Sequence, residues 1–293
     1  MNKIGIDIGG TQLRCAIFDE DGQLIKKVKF NNEVELGCTA NLDKLIDFVN
    51  EEKNNYQFNG VGIGCPGPLD IRKGKILNPV NLVGWNDFEI VKYFEEKTLL
   101  KTKLNNDANV AGLAEAIYGA GKGSEAVFFI TISTGVGGAY ILDNKIIAGA
   151  NSAAAEINNI IINEDKYSHN GLNAGGLEGQ CSGTNIARIA SEKLNRKLNA
   201  EEVFELYYSK NEVAIKVIED FCENMAKGIA NICAVVDPDI FIIGGSVAIH
   251  NPKIIDLIKE KTMSKVFYPE NLKIELAKFQ DDAGLIGASH LIN

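Results

Sequence analysis

The sequence predicts an α/β protein of two domains, each built around a mixed β-sheet. Three observations lead there. The first 30 residues read as three strands, after which helical and extended segments alternate. Two glycine-rich hairpins, Lys3–Arg14 and Phe129–Ile141, recur about 120 residues apart. The chain has 293 residues, 45% of them hydrophobic, enough to bury two cores.

The strands near 3–9, 12–19 and 23–30 are separated by Gly9-Gly10-Thr11 and Asp19-Glu20-Asp21-Gly22, both turn formers. A helix around 40–53 follows, then a buried strand Gly60-Val61-Gly62-Ile63-Gly64. Cys65-Pro66-Gly67-Pro68 cannot continue that strand, because proline has no N–H to give the ladder. Residues 78–85 read as a loop and 87–97 as a helix. A helix from Asn106-Asp107 to about 119 leads into the second hairpin. Residues 149–183 show little periodicity and are rich in Asn and Gly; loops this long are functional or disordered. Helices are predicted over 183–194, 200–208 and 211–235, the last stopped by Asp237-Pro238. Asp239–Ile243 is a buried strand that ends in the Gly244-Gly245 turn. A helix near 252–265, a strand near 272–277 and a helix near 282–291 complete the chain, and the pair of hairpins is the only internal repeat.

The net charge of −9 argues against a nucleic-acid-binding surface, which needs a basic stripe. It does not exclude an anionic ligand, since a few backbone amides hold phosphate locally. The six cysteines are scattered with no C-x-x-C pair and read as reduced core thiols. No apolar run approaches the length of a membrane span, and the first strand leaves no room for a signal peptide, so a cytoplasmic protein is expected. Turns of Gly, Thr and Ser leave N–H groups exposed and form small anion-binding concavities. One is an ordinary tight hairpin. Two in one chain suggest two halves closing on the phosphates of one nucleotide.

Asp7-Ile8-Gly9-Gly10-Thr11, Gly64-Cys65-Pro66-Gly67-Pro68, Asn106-Asp107-Ala108-Asn109, Ser133-Thr134-Gly135-Val136-Gly137-Gly138 and Gly244-Gly245 follow one another in an order that resembles the ROK family of sugar kinases and repressors. The resemblance covers nearly the whole chain. It implies two actin-like ATPase (ribonuclease H-like) domains with mixed sheets flanking a central cleft, ATP in the cleft and sugar at its base. The implied division is 1–106 and 107–279, with a C-terminal helix in 280–293 packing back on the first domain. It also implies a homodimer.

On that resemblance Asp7 would help to hold Mg²⁺ through water, while Gly9, Gly10, Thr11 and Gln12 face the phosphates. One carboxylate is chemically sufficient, because Mg²⁺ keeps most of its waters. Asp107 would be the base that accepts the hydroxyl proton in phosphoryl transfer, with Asn106 bonding a sugar hydroxyl. Read alone, Asp107 is also a good helix N-cap. Thr134, Gly135 and Gly137 would form the second phosphate loop, and Gly244 and Gly245 would let adenosine approach the backbone. Ser-Thr-Gly-Val-Gly-Gly looks closer to bacterial N-acetylmannosamine kinases than to glucokinases.

The sugar pocket departs from the family. Many members carry Glu-x-Gly-His and then C-x-C-G-x-x-G-C-x-E, whose His and three Cys bind structural zinc. Here Asn159 stands in place of the histidine and His169–Glu178 contains no cysteine, so no structural zinc is expected. His169 reads as a surface-loop histidine. Glu156 and Glu178 remain to bind sugar hydroxyls, with Asn159, Gly67, Val80 and Asn81 also placed at the sugar. The implied activity is an ATP:hexose 6-phosphotransferase, with N-acetylmannosamine as first acceptor and glucose as the alternative. A sugar-responsive repressor lacking its DNA-binding domain and a non-catalytic sugar sensor are the readings of another class.

Overall fold

The computed structural model describes residues 1–79, 82–279 and 282–292. The chain divides into two compact units, Met1–Ala114 with Asp281–Asn293, and Glu115–Gln280.

The first unit opens with an antiparallel meander, β1 (Asn2–Ile8), β2 (Gln12–Phe18) and β3 (Leu24–Asn31). Helix α1 (Gly37–Glu52) carries the chain to β4 (Phe58–Cys65), which pairs parallel with β1. A small ribbon, β5 (Leu69–Asp70) with β6 (Lys75–Ile76), and helix α2 (Ile90–Thr98) precede β7 (Thr102–Asn106), parallel to β4. Helix α3 (Asp107–Tyr118) follows directly. The sheet order is β3-β2-β1-β4-β7. Strand β7 was not among the predicted elements. Its sequence, Thr-Lys-Leu-Asn-Asn, holds one large apolar residue, so no hydrophobic run marks it.

The second unit repeats that plan. β8 (Ala126–Ile132), β9 (Val136–Leu142) and β10 (Lys145–Ile146) are antiparallel neighbours. After the irregular segment come α4 (Leu177–Cys181), α5 (Gly183–Leu194), α6 (Ala200–Tyr208) and the long α7 (Glu212–Val236). Asn211 starts α7 by accepting from the N–H groups of Val213 and Ala214, and Asp237 ends it in the left-handed conformation ahead of Pro238. Then β11 (Ile240–Gly244), parallel to β8, α8 (Ser246–His250), α9 (Lys253–Met263) and β12 (Ile274–Leu276), parallel to β11, close the unit. The order is β10-β9-β8-β11-β12. The internal repeat therefore extends from the hairpins to the whole five-stranded sheet.

The last helix, α10 (Ala283–Ser289), belongs to the first unit. Side chains alternate across a strand. Ile4, Ile6, Val61 and Ile63 join Leu42, Leu45 and Val49 of α1 in one core. Gly5 and Gly62, one residue out of phase, face the other side, where a Cβ would overlap the carbonyl oxygens of Leu285 and Ala288. Glycine is required there for α10 to seat against the sheet. The second core gathers Phe128, Ile130, Phe241 and Ile243 with Phe221, Met225 and Ile229 of α7.

Candidate active site

In a sheet of parallel strands, ligands bind beyond the carboxyl ends. Strands β1, β4 and β7 are mutually parallel, and their carboxyl ends deliver Asp7 with the Gly9–Gln12 turn, Cys65 with Gly67, and Asn106 with Asp107. The first turn closes through the Gly9 N–H donating to Gln12 O (2.8 Å). Asn32, at the end of β3, pins it: its N–H donates to Thr11 O and its Nδ2 to Gly9 O, both 2.9 Å. Among the described residues, the Gly10 and Thr11 N–H groups find no protein acceptor, which is the donor set that a phosphate oxygen needs.

Asp7 stands opposite Arg14 in the β1–β2 register, and its Oδ2 accepts from Nε (2.9 Å) and Nη2 (2.5 Å) of that guanidinium. Its Oδ1 lies toward Gly284, where a Cβ would come within 3.1 Å. No cluster of three His, Cys, Asp or Glu side chains converges among the described residues. Asp7 would be the carboxylate at this edge to hold a Mg²⁺ that keeps most of its waters, which fits the reluctance of that ion to dehydrate.

Asn106 caps α3: its Oδ1 accepts from the Ala108 N–H at 2.9 Å. Asp107 Oδ1 accepts from the same N–H at 2.8 Å. A Cβ at Gly67 would lie 3.5 Å from Asn106 Nδ2, so Gly67 and Asn106 come together at this edge. Burial pushes the Cys65 thiol far up, and the nearby charges of Asp107 and Asp7 push it further. Both aspartates therefore bear on one point at the end of β4. Val80 and Asn81 lie outside the described residues.

In the second unit, Thr134 and Gly135 sit in the turn between β8 and β9, whereas Gly137 is already in β9, paired with Thr131. The turn is pinned by the Gly183 N–H on Ser133 O (2.7 Å) and by the Val136 N–H on Glu178 Oε2 (2.9 Å). Among the described residues the Thr134 and Gly135 N–H groups have no protein acceptor, as in the first turn. The turn borders a cavity of about 490 Å³ lined by Ser133, Thr134, Thr184, Arg188, Lys197 and Ser246 among others. Gly244 ends β11, and Gly245 adopts φ +85° before α8. A Cβ on Gly244 would press on Ala277 and the Phe129 ring, and one on Gly245 on the Ile132 backbone. Packing inside the unit already demands both glycines.

Residues 149–176 are tied by polar contacts. Asn159 Oδ1 accepts from the Asn173 N–H (2.6 Å), and the Ile162 and Leu177 N–H groups donate to Gly175 O and Ile160 O. His169 is not a surface-loop histidine. Its side chain is 19% exposed and its Nε2 lies 3.0 Å from Glu178 Oε1, because Tyr167 and Arg188 gather the loop over α4. Burial raises the Glu156 carboxyl pKa, a hydrogen bond with Asn158 works against this, and the Glu178 charge adds to the rise. The structure thus brings Glu156 and Glu178 within electrostatic reach of one another. Asn32, Arg14 and His169 were missed as contributors. Only Arg14 had a signal: once the Gly10-Thr11 turn is placed, hairpin register sets it opposite Asp7.

Two five-stranded mixed sheets of one connectivity, each with a glycine turn between a leading pair of antiparallel strands, define an actin-like, ribonuclease H-like ATPase fold. The ROK family matches residues 3–293, and the chain belongs to that family. It is 30% identical to a glucokinase of Halalkalibacterium halodurans, over 99% of this chain and 94% of that protein. It is also 30% identical to an N-acetylmannosamine kinase of Escherichia coli, over 99% and 98%. A ROK hexokinase of Thermus thermophilus superposes with a TM-score of 0.92 at 28% identity, covering 99% of this chain and 97% of that one. Among the described residues, no helix is long and apolar enough to cross a membrane.

Proposed function

We propose that this protein is an ATP-dependent sugar kinase acting on the 6-hydroxyl of a hexose or N-acetylhexosamine, with N-acetylmannosamine as acceptor and glucose as the alternative. The observation that carries the reading is Asp107. Its carboxylate opens α3 next to Asn106, at the strand edge that also bears Asp7 and the open amide turn. Membership of the family and likeness to relatives named for both sugars support the activity class. Preference for N-acetylmannosamine rests on the Ser133–Gly138 loop sequence.

When bound, ATP supplies the phosphoryl group and Mg²⁺ offsets the charge spreading over its oxygens. The residues do the rest. The Asp107 carboxylate accepts the proton of the 6-hydroxyl. The amides of Gly10 and Thr11, and of Thr134 and Gly135, hold phosphate oxygens, while Arg14 fixes the Asp7 carboxylate. Asn106, Glu156 and Glu178 take sugar hydroxyls, for which carboxylates suit because each oxygen accepts strongly.

A coupled ADP-release assay with N-acetylmannosamine, glucose, N-acetylglucosamine and allose tests this. Sugar-stimulated turnover is expected, with the highest kcat/KM on N-acetylmannosamine. Absence of stimulation by any of the four removes the kinase reading, and highest kcat/KM on glucose removes the acceptor assignment alone.

A further inference from the structure

Glu178 is held at both oxygens. Its Oε2 accepts from the Val136 N–H beside the second glycine turn (2.9 Å), and its Oε1 meets His169 Nε2 at 3.0 Å. The histidine is itself braced. Its ring stacks on Tyr167 at 5.3 Å between centroids and 24° between planes. The Arg188 guanidinium carbon lies 3.6 Å from the Tyr167 ring centroid, a cation–π contact. Arg188 in turn donates to Asn185 Oδ1 (3.0 Å) and Gly179 O (3.2 Å), which ties the stack to α5 and α4. The loop half of this arrangement is ordered by side chains folding back on their own backbone, Asn163 accepting from the Asp165 N–H and Asp165 from the Tyr167 N–H.

We propose that His169 is a positioning residue: it fixes the plane of the Glu178 carboxylate, and so sets the affinity for the acceptor sugar. This rests on Glu178 contacting sugar, as in the function proposed above. A carboxylate oxygen has two lone pairs, so one N–H on each oxygen leaves acceptor capacity for hydroxyls while removing rotational freedom. Affinity lost on freeing a side chain that was pre-ordered for its ligand is modest. About three- to tenfold is expected here.

The test uses three variants of the full chain, with KM for N-acetylmannosamine and glucose, KM for ATP, kcat, calorimetric sugar binding and melting temperature. His169→Phe keeps an aromatic ring on Tyr167 but has no N–H to offer. It should raise sugar KM and the calorimetric Kd about three- to tenfold, with ATP KM and kcat within twofold of wild type. His169→Gln, which restores a donor without a ring, should recover most of the sugar affinity. Sugar KM unchanged in His169→Phe overturns the proposal. So does an equal rise in sugar and ATP KM with a falling melting temperature, which marks a purely structural role. Glu178→Gln separates the two layers: if it leaves sugar affinity untouched, the reading of Glu178 as a sugar contact fails first. If it weakens sugar binding while His169→Phe does not, only the role of His169 falls.

Discussion

Replacing Asp107 by Asn tests the assigned base with little disturbance to the fold. The Ala108 N–H has two acceptors, Asn106 Oδ1 at 2.9 Å and Asp107 Oδ1 at 2.8 Å. An asparagine retains the second, so the first turn of α3 stays satisfied. Removing one negative charge from a helix N-terminus costs about 0.3–1 kcal/mol. At about 2–4 °C per kcal/mol for a chain of this size class, that charge accounts for a fall in melting temperature of up to about 4 °C. What is lost chemically is the ability to take a proton. Removing a general base costs about 10²–10⁴-fold in kcat, or about 2.7–5.5 kcal/mol of barrier. The signature is therefore a collapse of kcat with near-normal melting and a sugar KM changed by only a few fold. A variant whose kcat stays within tenfold of wild type, melting as wild type does, refutes Asp107 as base.

Glu156→Gln should stabilise the protein at neutral pH and weaken sugar binding. Burial raises the Glu156 pKa above its ordinary 4.5, so the stability its proton confers is whole below about pH 4.5 and lost as pH rises through the folded value. Thermal melting across pH 4 to 8 should show the variant's advantage growing with pH, and no advantage at neutral pH sinks the argument. Gly62→Ala should destabilise by about 1–3 kcal/mol, because its Cβ meets the backbone of Ala288, which cannot rotate away. Urea unfolding measures this, and an unchanged midpoint would show that α10 does not sit where described.

The strand–helix alternation was legible because each long element carries its own period or punctuation: Asn211 before α7 and Pro238 after it, Gly9-Gly10-Thr11 between β1 and β2. Strand β7 was not. Thr102 and Leu104 are buried and Lys103 exposed, but three residues of alternation are too few to distinguish from a loop. Its place is fixed from outside, by parallel pairing with β4 and by the Thr102 N–H donating to Glu95 Oε1 at 2.9 Å. The Asp7–Arg14 pair was legible in principle from hairpin register alone. The Arg188–Tyr167–His169 stack was not, since nothing local in the sequence announces which face of a distant helix a loop will fold upon.

The two glycine motifs teach opposite lessons. At Gly10 and Thr11 the backbone offers N–H groups that the described protein leaves unanswered, the donors that the proposed function assigns to phosphate oxygens. At Gly244 and Gly245 the space a side chain would fill is already taken by Ala277, Phe129 and the Ile132 backbone. Their glycines would be needed with no nucleotide at all, so the motif there is evidence for the sheet and not for the ligand. Glu178 is answered from within the unit at both oxygens. By accepting from the Val136 N–H with one oxygen and meeting His169 with the other, it couples the irregular 149–176 segment to the phosphate-turn candidate through a single side chain. A residue read from sequence only as a sugar acceptor is therefore also the tie between two parts of one unit. Shortening it to Asp should disturb both, whereas a change at Glu156, which makes no such bond to the turn, should leave the turn undisturbed.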